Sequence, residues 1–295
     1  MERSQTRKST LPYLLILPTL FFVAIFTIWP TINSFYMSFF RQRLNLARFR
    51  EPAFVGIENF VNLFSDPRFI QVLKNTIIYV IGTVPLAIFL AFVFAFLVNQ
   101  RIRGVGLSRL SFFHPSILPM VSAATIWMFF LTPDYGIFNE ALHFLGYRGP
   151  QNWTANPDLA LISIMIVALW KNAGYYMIFY LAGMQNLPTE VFEAATLDGA
   201  STWQKLRYIT FPLLRGTTLF ITTIAIIGAF QTVDQIFVLT QGGPSGASTT
   251  LLYYLWQVRF EFQDVGKASA ITVVLIVLLL LFTVTNFVLS ERGRE

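Results

Sequence analysis

The residues able to do chemistry in this chain are few, and most of them interrupt apolar runs. Lys171, with Asn172 beside it and Tyr175 a turn further on, lies in one such run; Gln231, Thr232 and Asp234 close another; Ser116 follows Pro115 in a third. These are hydrogen-bonding groups, suited to a polar solute or to bonds across a helix bundle. They do not form a nucleophile and base set. The chain has no cysteine, and its two histidines, His114 and His143, are isolated, so neither a metal nor another cofactor is expected. The sequence contains no G-x-S-x-G elbow, no H-E-x-x-H pair and no G-x-x-x-x-G-K-[ST] loop. A membrane enzyme is therefore the weakest reading, and ATP is not expected to be held by that loop.

Lys171 is the most demanding of these groups. An unpaired charge midway along a span costs roughly 2.5 to 3.5 kcal/mol on insertion scales, so it needs a partner or water. It can meet an anionic or polyhydroxylated solute, pair with Asp234, or snorkel near a bent helix. The pairing and snorkelling readings stand ahead of the solute. His114 reads as a helix-end residue, and Phe230 offers an aromatic face for stacking.

Membrane spans must position these groups. A 295-residue chain that is 55% hydrophobic, 16% aromatic and 12% charged has too little polar surface to coat a water-soluble globule. The net charge of +6 is scattered through linkers and forms no stripe for nucleic acid, so the basic residues read as flanks against lipid. Six runs are long enough to cross a bilayer, at 11–40, 75–100, 110–133, 159–183, 216–234 and 268–290. Their continuous apolarity lacks the alternation of a barrel, so the expected class is all-α with six transmembrane helices. The third run carries Pro115 and Pro119, and the fourth a single charge, Lys171.

Short tails at 1–10 and 291–295 flank the spans. Arg3, Arg7 and Lys8 precede the first, whose length, about twice that of a signal-peptide core, favours an uncleaved span. With both ends inside, Arg101, Arg103, Arg109, Lys205, Arg207, Arg215, Arg292 and Arg294 join them on the cytosolic side. Arg41, Arg43, Arg48, Arg50, Arg68 and Lys74 then lie outside and weaken the charge rule. The first loop, with Phe54, Val55, Gly56 and Phe60, and the third, with Pro133, Pro150, Trp153 and Pro157, mix aromatics with turn formers. They read as folded loops rather than floppy ones. Asn152 to Thr154 matches a glycosylation sequon, taken as chance.

The stretch at 183–215 carries the clearest local signals. Pro188 suits a first turn, Glu190 and Glu193 complement the helix dipole, and Gly199 can end the helix in the left-handed conformation. Ser201 and Gln204 have the spacing of a capping box, which starts a second helix with Trp203, Leu206 and Ile209 on one apolar face. The pair is expected to lie on the membrane surface. Ala194, Ala195 and Ala200 leave room for a partner to approach closely.

Glu193-Ala194-Ala195, then Asp198-Gly199, then Ile209 and Pro212 resemble the EAA motif of bacterial ABC importer permeases, with Phe211 where the family has leucine. Trp170, Lys171 and Asn172, the run from Leu181 to Pro188, and the run from Phe237 to Pro244 are similar to carbohydrate-uptake permeases of the maltose and glycerol-phosphate types. The resemblance implies a permease subunit in a bacterial or archaeal cytoplasmic membrane, with both termini cytosolic. Its implied partners are a second permease, two ATPase subunits docked on the 183–215 loop, and an extracytoplasmic solute-binding protein. It also implies that Tyr175, Gly228, Ala229 and Thr232 face the solute, of which Tyr175 and Thr232 offer hydrogen bonds. A secondary transporter or channel is the alternative, and it would need ion-coupling carboxylates in its spans, for which Asp234 alone qualifies.

Overall fold

The computed structural model describes residues 11–100, 104–147, 149 and 151–291. The basic residues of both tails, Arg101, Arg103 and Pro150 lie outside them. Among the described residues four helices are long and apolar enough to cross a membrane, and two further pairs, bent by 102° and 65°, bring the number to six if each pair counts as one span. Among the described residues the strands are two-residue pieces, so the class is all-α. The chain divides into two compact units.

The first unit comprises residues 1–63 and 257–274. Its N-terminal helix runs as α1 (Leu11–Val23), a π-helical turn (Ala24–Ile28) and α2 (Trp29–Met37). The span from Leu14 to Met37 is strongly apolar, and among the described residues none in it is buried. The first loop is folded, as expected. Strand β1 (Phe40–Arg41) pairs antiparallel with β2 (Ala53–Phe54), and α3 (Glu58–Phe64) follows. Asn59 donates to the carbonyls of Ser38 (2.8 Å) and Phe40 (2.9 Å), Arg41 pairs with Glu58, and Arg43 meets Asp264 at 2.7 Å.

The second unit comprises residues 64–256 and 275–295. Its centre is α4 (Pro67–Val98) packed on α8 (Pro157–Gln185). Both begin with proline at the first turn behind a side-chain cap, Asp66 accepting from the Arg68 amide and Asn156 from the Asp158 amide, each at 2.9 Å. On α4 the buried face runs through Thr76, Tyr79, Thr83, Ala87, Ala91 and Ala95, while Ile70, Ile78, Ile81 and Phe89 face outward. Along the C-terminal half of that face the small residues Ala87, Ala91 and Ala95 allow close packing, beside the buried ring of Phe92. Thr76 and Thr83 hydroxyls donate back to the carbonyls of Val72 and Tyr79 and are thereby satisfied.

The third run, expected as one span over 110–133, is instead two helices, α5 (Val105–Ile117) and α6 (Met120–Phe130), at 102°. Leu118 precedes Pro119 and is forced extended (φ −65°, ψ 138°), which ends α5. The helix α7 (Ile137–Phe144) follows. Here buried Asn139 donates to the carbonyls of Pro133 (2.8 Å) and Gln151 (3.0 Å) and accepts from the Trp153 indole (3.0 Å), which folds the third loop.

Beyond α8 come α9 (Thr189–Leu197), α10 (Thr202–Lys205), a π-helical turn (Leu206–Thr210), α11 (Phe211–Leu213) and α12 (Arg215–Phe230). Helix α12 stops short of the expected 234, and α13 (Asp234–Leu239) starts anew. The loop that follows is tied to α4 before α14 (Leu251–Trp256): Asn75 donates to the carbonyls of Gly246 (2.8 Å) and Thr249 (3.1 Å), and the Leu251 amide donates to Thr76 (2.8 Å). The last long helix, α15, spans Val265–Glu291.

Candidate solute cavity and coupling loop

Two places in the second unit gather functional groups. The first is a cavity of about 200 Å³ lined by Met120, Asn172, Tyr176, Gly228 and residues 231–235. A narrower gap of about 20 Å³ adjoins it between α4, α8 and α12, and Ala229 lines that gap. Asn172 and Tyr176 are one turn apart on α8, so they share a face. The unwound stretch between α12 and α13 supplies the opposite wall. Irregular backbone is tolerated at membrane depth only where it is buried in protein or lines a cavity, and this one is held by side chains. The Thr250 hydroxyl donates to the Thr232 carbonyl (3.2 Å), and the Thr232 hydroxyl (3.3 Å) and the Gln235 amide (2.6 Å) both reach the Tyr79 hydroxyl.

Of the pathway residues named from the sequence, Asn172, Gly228, Gln231 and Thr232 line the cavity together. Tyr175 does not. It is 43% exposed and turns to the ring of Phe179, while its neighbour Tyr176 takes the cavity wall. One residue is a 100° rotation on a helix, and α8 carries no polar stripe that would fix its rotation from sequence. Ser116 is also elsewhere, its hydroxyl donating to the Phe113 carbonyl at 2.6 Å.

Lys171 pairs neither with Asp234 nor with anything in the cavity. Its ammonium donates to the carbonyls of Pro115 (3.4 Å), Ser116 (3.3 Å) and Leu118, at the end of α5. The last carbonyls of a helix have no partners inside it and carry partial negative charge, so a cation there answers two needs at once. Gly174, on the same helix, lets α8 approach this point: a Cβ would stand 1.8 Å from the Phe112 carbonyl oxygen.

Tyr79, Tyr176 and Gln235 escaped the sequence reading. For Tyr79 a signal existed, because Asn75, Thr76, Tyr79 and Thr83 recur at helical spacing in a run otherwise apolar.

The second place is the helix pair at 189–213. Gly199 stands at φ 76°, and the amides of Ala200 (2.9 Å) and Gly199 (3.1 Å) donate to the carbonyls of Ala195 and Thr196, which is the Schellman closure of α9. Ser201 and Gln204 form the reciprocal capping box that starts α10. Lys205 donates to the Thr196 hydroxyl at 2.8 Å and ties the two helices. Glu193, Ala194, Asp198, Gly199 and Pro212 are exposed, and Ala195 and Ile209 half-exposed. Trp203, expected on an apolar face with Leu206 and Ile209, is 67% exposed, and Leu197 is 90% exposed. Phe211, at the position where the family has leucine, stacks on Phe92 with ring centres 4.5 Å apart. Beside the pair opens a cleft of about 600 Å³ between the end of α4, Arg109 of α5 and the start of α9.

The chain is similar to known proteins in sequence and in fold. The chain is 34% identical over 289 residues to the trehalose/maltose transport system permease protein MalF of Thermococcus litoralis, covering 98% of this chain and 96% of that one. It is 31% identical to the lactose transport system permease protein LacF of Rhizobium radiobacter, over 96% of this chain and 94% of that one. A crystal structure of a bacterial ABC transporter involved in the import of the acidic polysaccharide alginate contains a chain with the same fold. The two superpose with a TM-score of 0.82 at 23% identity, over 96% of this chain and 95% of the other. The family profile for the binding-protein-dependent transport system inner membrane component matches residues 60–294, and the chain belongs to that family.

Proposed function

We propose that the chain is one permease subunit of an ATP-driven importer for a sugar or related polyol or glycerol-phosphate solute, which passes the cavity of α8, α12 and the unwound stretch by alternating access. A second, similar permease completes the pathway. Two separate ATPase subunits dock on the helix pair from Glu193 to Pro212, and an extracytoplasmic binding protein delivers the solute. Both termini and the 183–215 loop face the cytosol, and the protein resides in a bacterial or archaeal cytoplasmic membrane. The carrying observation is the α9–α10 pair, a rigidly capped element that leaves Leu197 and Trp203 bare, in a chain with no phosphate loop of its own. The trehalose, maltose and lactose named for the relatives support a carbohydrate solute.

The test is coupling in the reconstituted transporter. Gly199→Val places a β-branched residue at positive φ, at a cost of about 1–2 kcal/mol, and misdirects α10 although a Cβ there would meet no neighbour. Glu193→Lys reverses a charge offered to the ATPase. Each variant should still pair with the second permease but lose transport, and ATP hydrolysis should no longer respond to loaded binding protein. Normal transport by the double variant refutes the assignment.

A further inference from the structure

Gln235 is fully buried, its amide nitrogen donates to Tyr79, and its Oε1 has no hydrogen-bond partner. The Tyr79 hydroxyl can accept or donate, so whichever way the amide is turned, one of its two ends stays unpaired. Buried polar groups are seldom left so, because the lost hydration is not replaced. Gln235 is also one of the residues that form the wall of the cavity, with Asn172, Tyr176, Gln231 and Thr232.

The charges around that space point the same way. Asp234, which is exposed, is the sole charged residue among those lining the cavity. Lys171, the nearest cation along α8, is committed to the carbonyls at the end of α5. An anionic solute would meet a carboxylate here with no cation to offset it, whereas hydroxyl groups can donate to Gln235, Asp234 and Asn172.

We infer that Gln235 is a specificity-determining residue, accepting a hydrogen bond from a hydroxyl of a neutral solute seated in the cavity beside Asn172 and Thr232, in a half-pathway that disfavours anions. The inference rests on the importer function proposed above and narrows its solute class to neutral sugars and polyols. A bound water is the competing occupant.

The experiment uses the complete transporter, trapped with nucleotide and vanadate and washed free of binding protein. Retention of radiolabelled maltose, trehalose and lactose is compared with that of maltobionate and glycerol 3-phosphate, each counted per trapped nucleotide. The unaltered transporter should retain at least one neutral sugar, and the anions about tenfold more weakly or not at all. Gln235→Met keeps the length but removes the acceptor, and should weaken retention of that sugar about three- to tenfold. Gln235→Glu restores an acceptor and should retain more sugar than Gln235→Met, while discriminating further against the anions. Retention of an anion but of no sugar by the unaltered transporter would overturn the inference and leave the importer reading standing, whereas retention of neither would overturn the carbohydrate-importer reading itself. Equal sugar retention by Gln235→Met would show that water alone fills the site, and anion retention matching that of sugar would remove the charge selectivity; either overturns the inference.

Discussion

Gly174→Ala tests whether the break between α5 and α6 is held by the close approach of α8. Inside a helix this change ordinarily stabilises, by about 1 kcal/mol, because alanine loses less backbone entropy. Here the added Cβ would lie 1.8 Å from the Phe112 oxygen, 2.7 Å from its carbonyl carbon and 3.2 Å from the Phe113 Cα. All three are backbone atoms, so no side chain can swing away. Carbon and oxygen need roughly 3.3 Å, so the helices must part by about 1.5 Å. Overpacking of this kind costs about 1–3 kcal/mol. The same separation carries Lys171, one turn earlier on α8, away from carbonyls it holds at 3.3 and 3.4 Å, beyond hydrogen-bond reach. Losing charge-assisted bonds adds about 1.5–3 kcal/mol. Subtracting the propensity gain leaves a net loss of about 1.5–5 kcal/mol, or on the order of 3–20 °C in midpoint by the scaling for domains of about 150–250 residues. Thermal unfolding of the detergent-purified permease pair, followed by size-exclusion chromatography, measures it. Gly216→Ala is the control, since a Cβ there meets no atom within 4 Å. A Gly174→Ala protein as stable as the parent would refute the close-approach reasoning.

Asn139→Ala should destabilise the third loop by about 1–3 kcal/mol, because the Trp153 indole and the Gln151 carbonyl both lose their partner. Limited proteolysis between α7 and α8 should then quicken, and an unchanged cleavage rate would count against Asn139 as the organiser. Ser201→Cys supplies a unique thiol in a chain without cysteine, at the exposed start of α10. An impermeant reagent should label it in inverted vesicles and not in intact cells; labelling from outside would reverse the topology.

The spans were legible in the sequence because apolarity over a bilayer's width is a property of consecutive residues. The helix pair at 189–213 was legible for a similar reason, since Gly199, Ser201 and Gln204 act through hydrogen bonds to residues within five positions in the chain. The third span was legible only in part. Pro115 and Pro119 announced a disturbance, but a turn of 102° with carbonyls left over needed a donor, and Lys171 reaches it from a position 53 residues further along, at Leu118. The cavity lining was decided by tertiary structure. Lipid removes the need for a polar outer face, so α8 has no amphipathic bias to tell Tyr176 from Tyr175, and its rotation is set by the Gly174 contact with α5. Gln235 and Tyr79 are 156 residues apart, and nothing local to either says that they meet. The packing of α4 against α8 and α12 brings them together, and with them the buried amide that is left half-paired at the cavity wall.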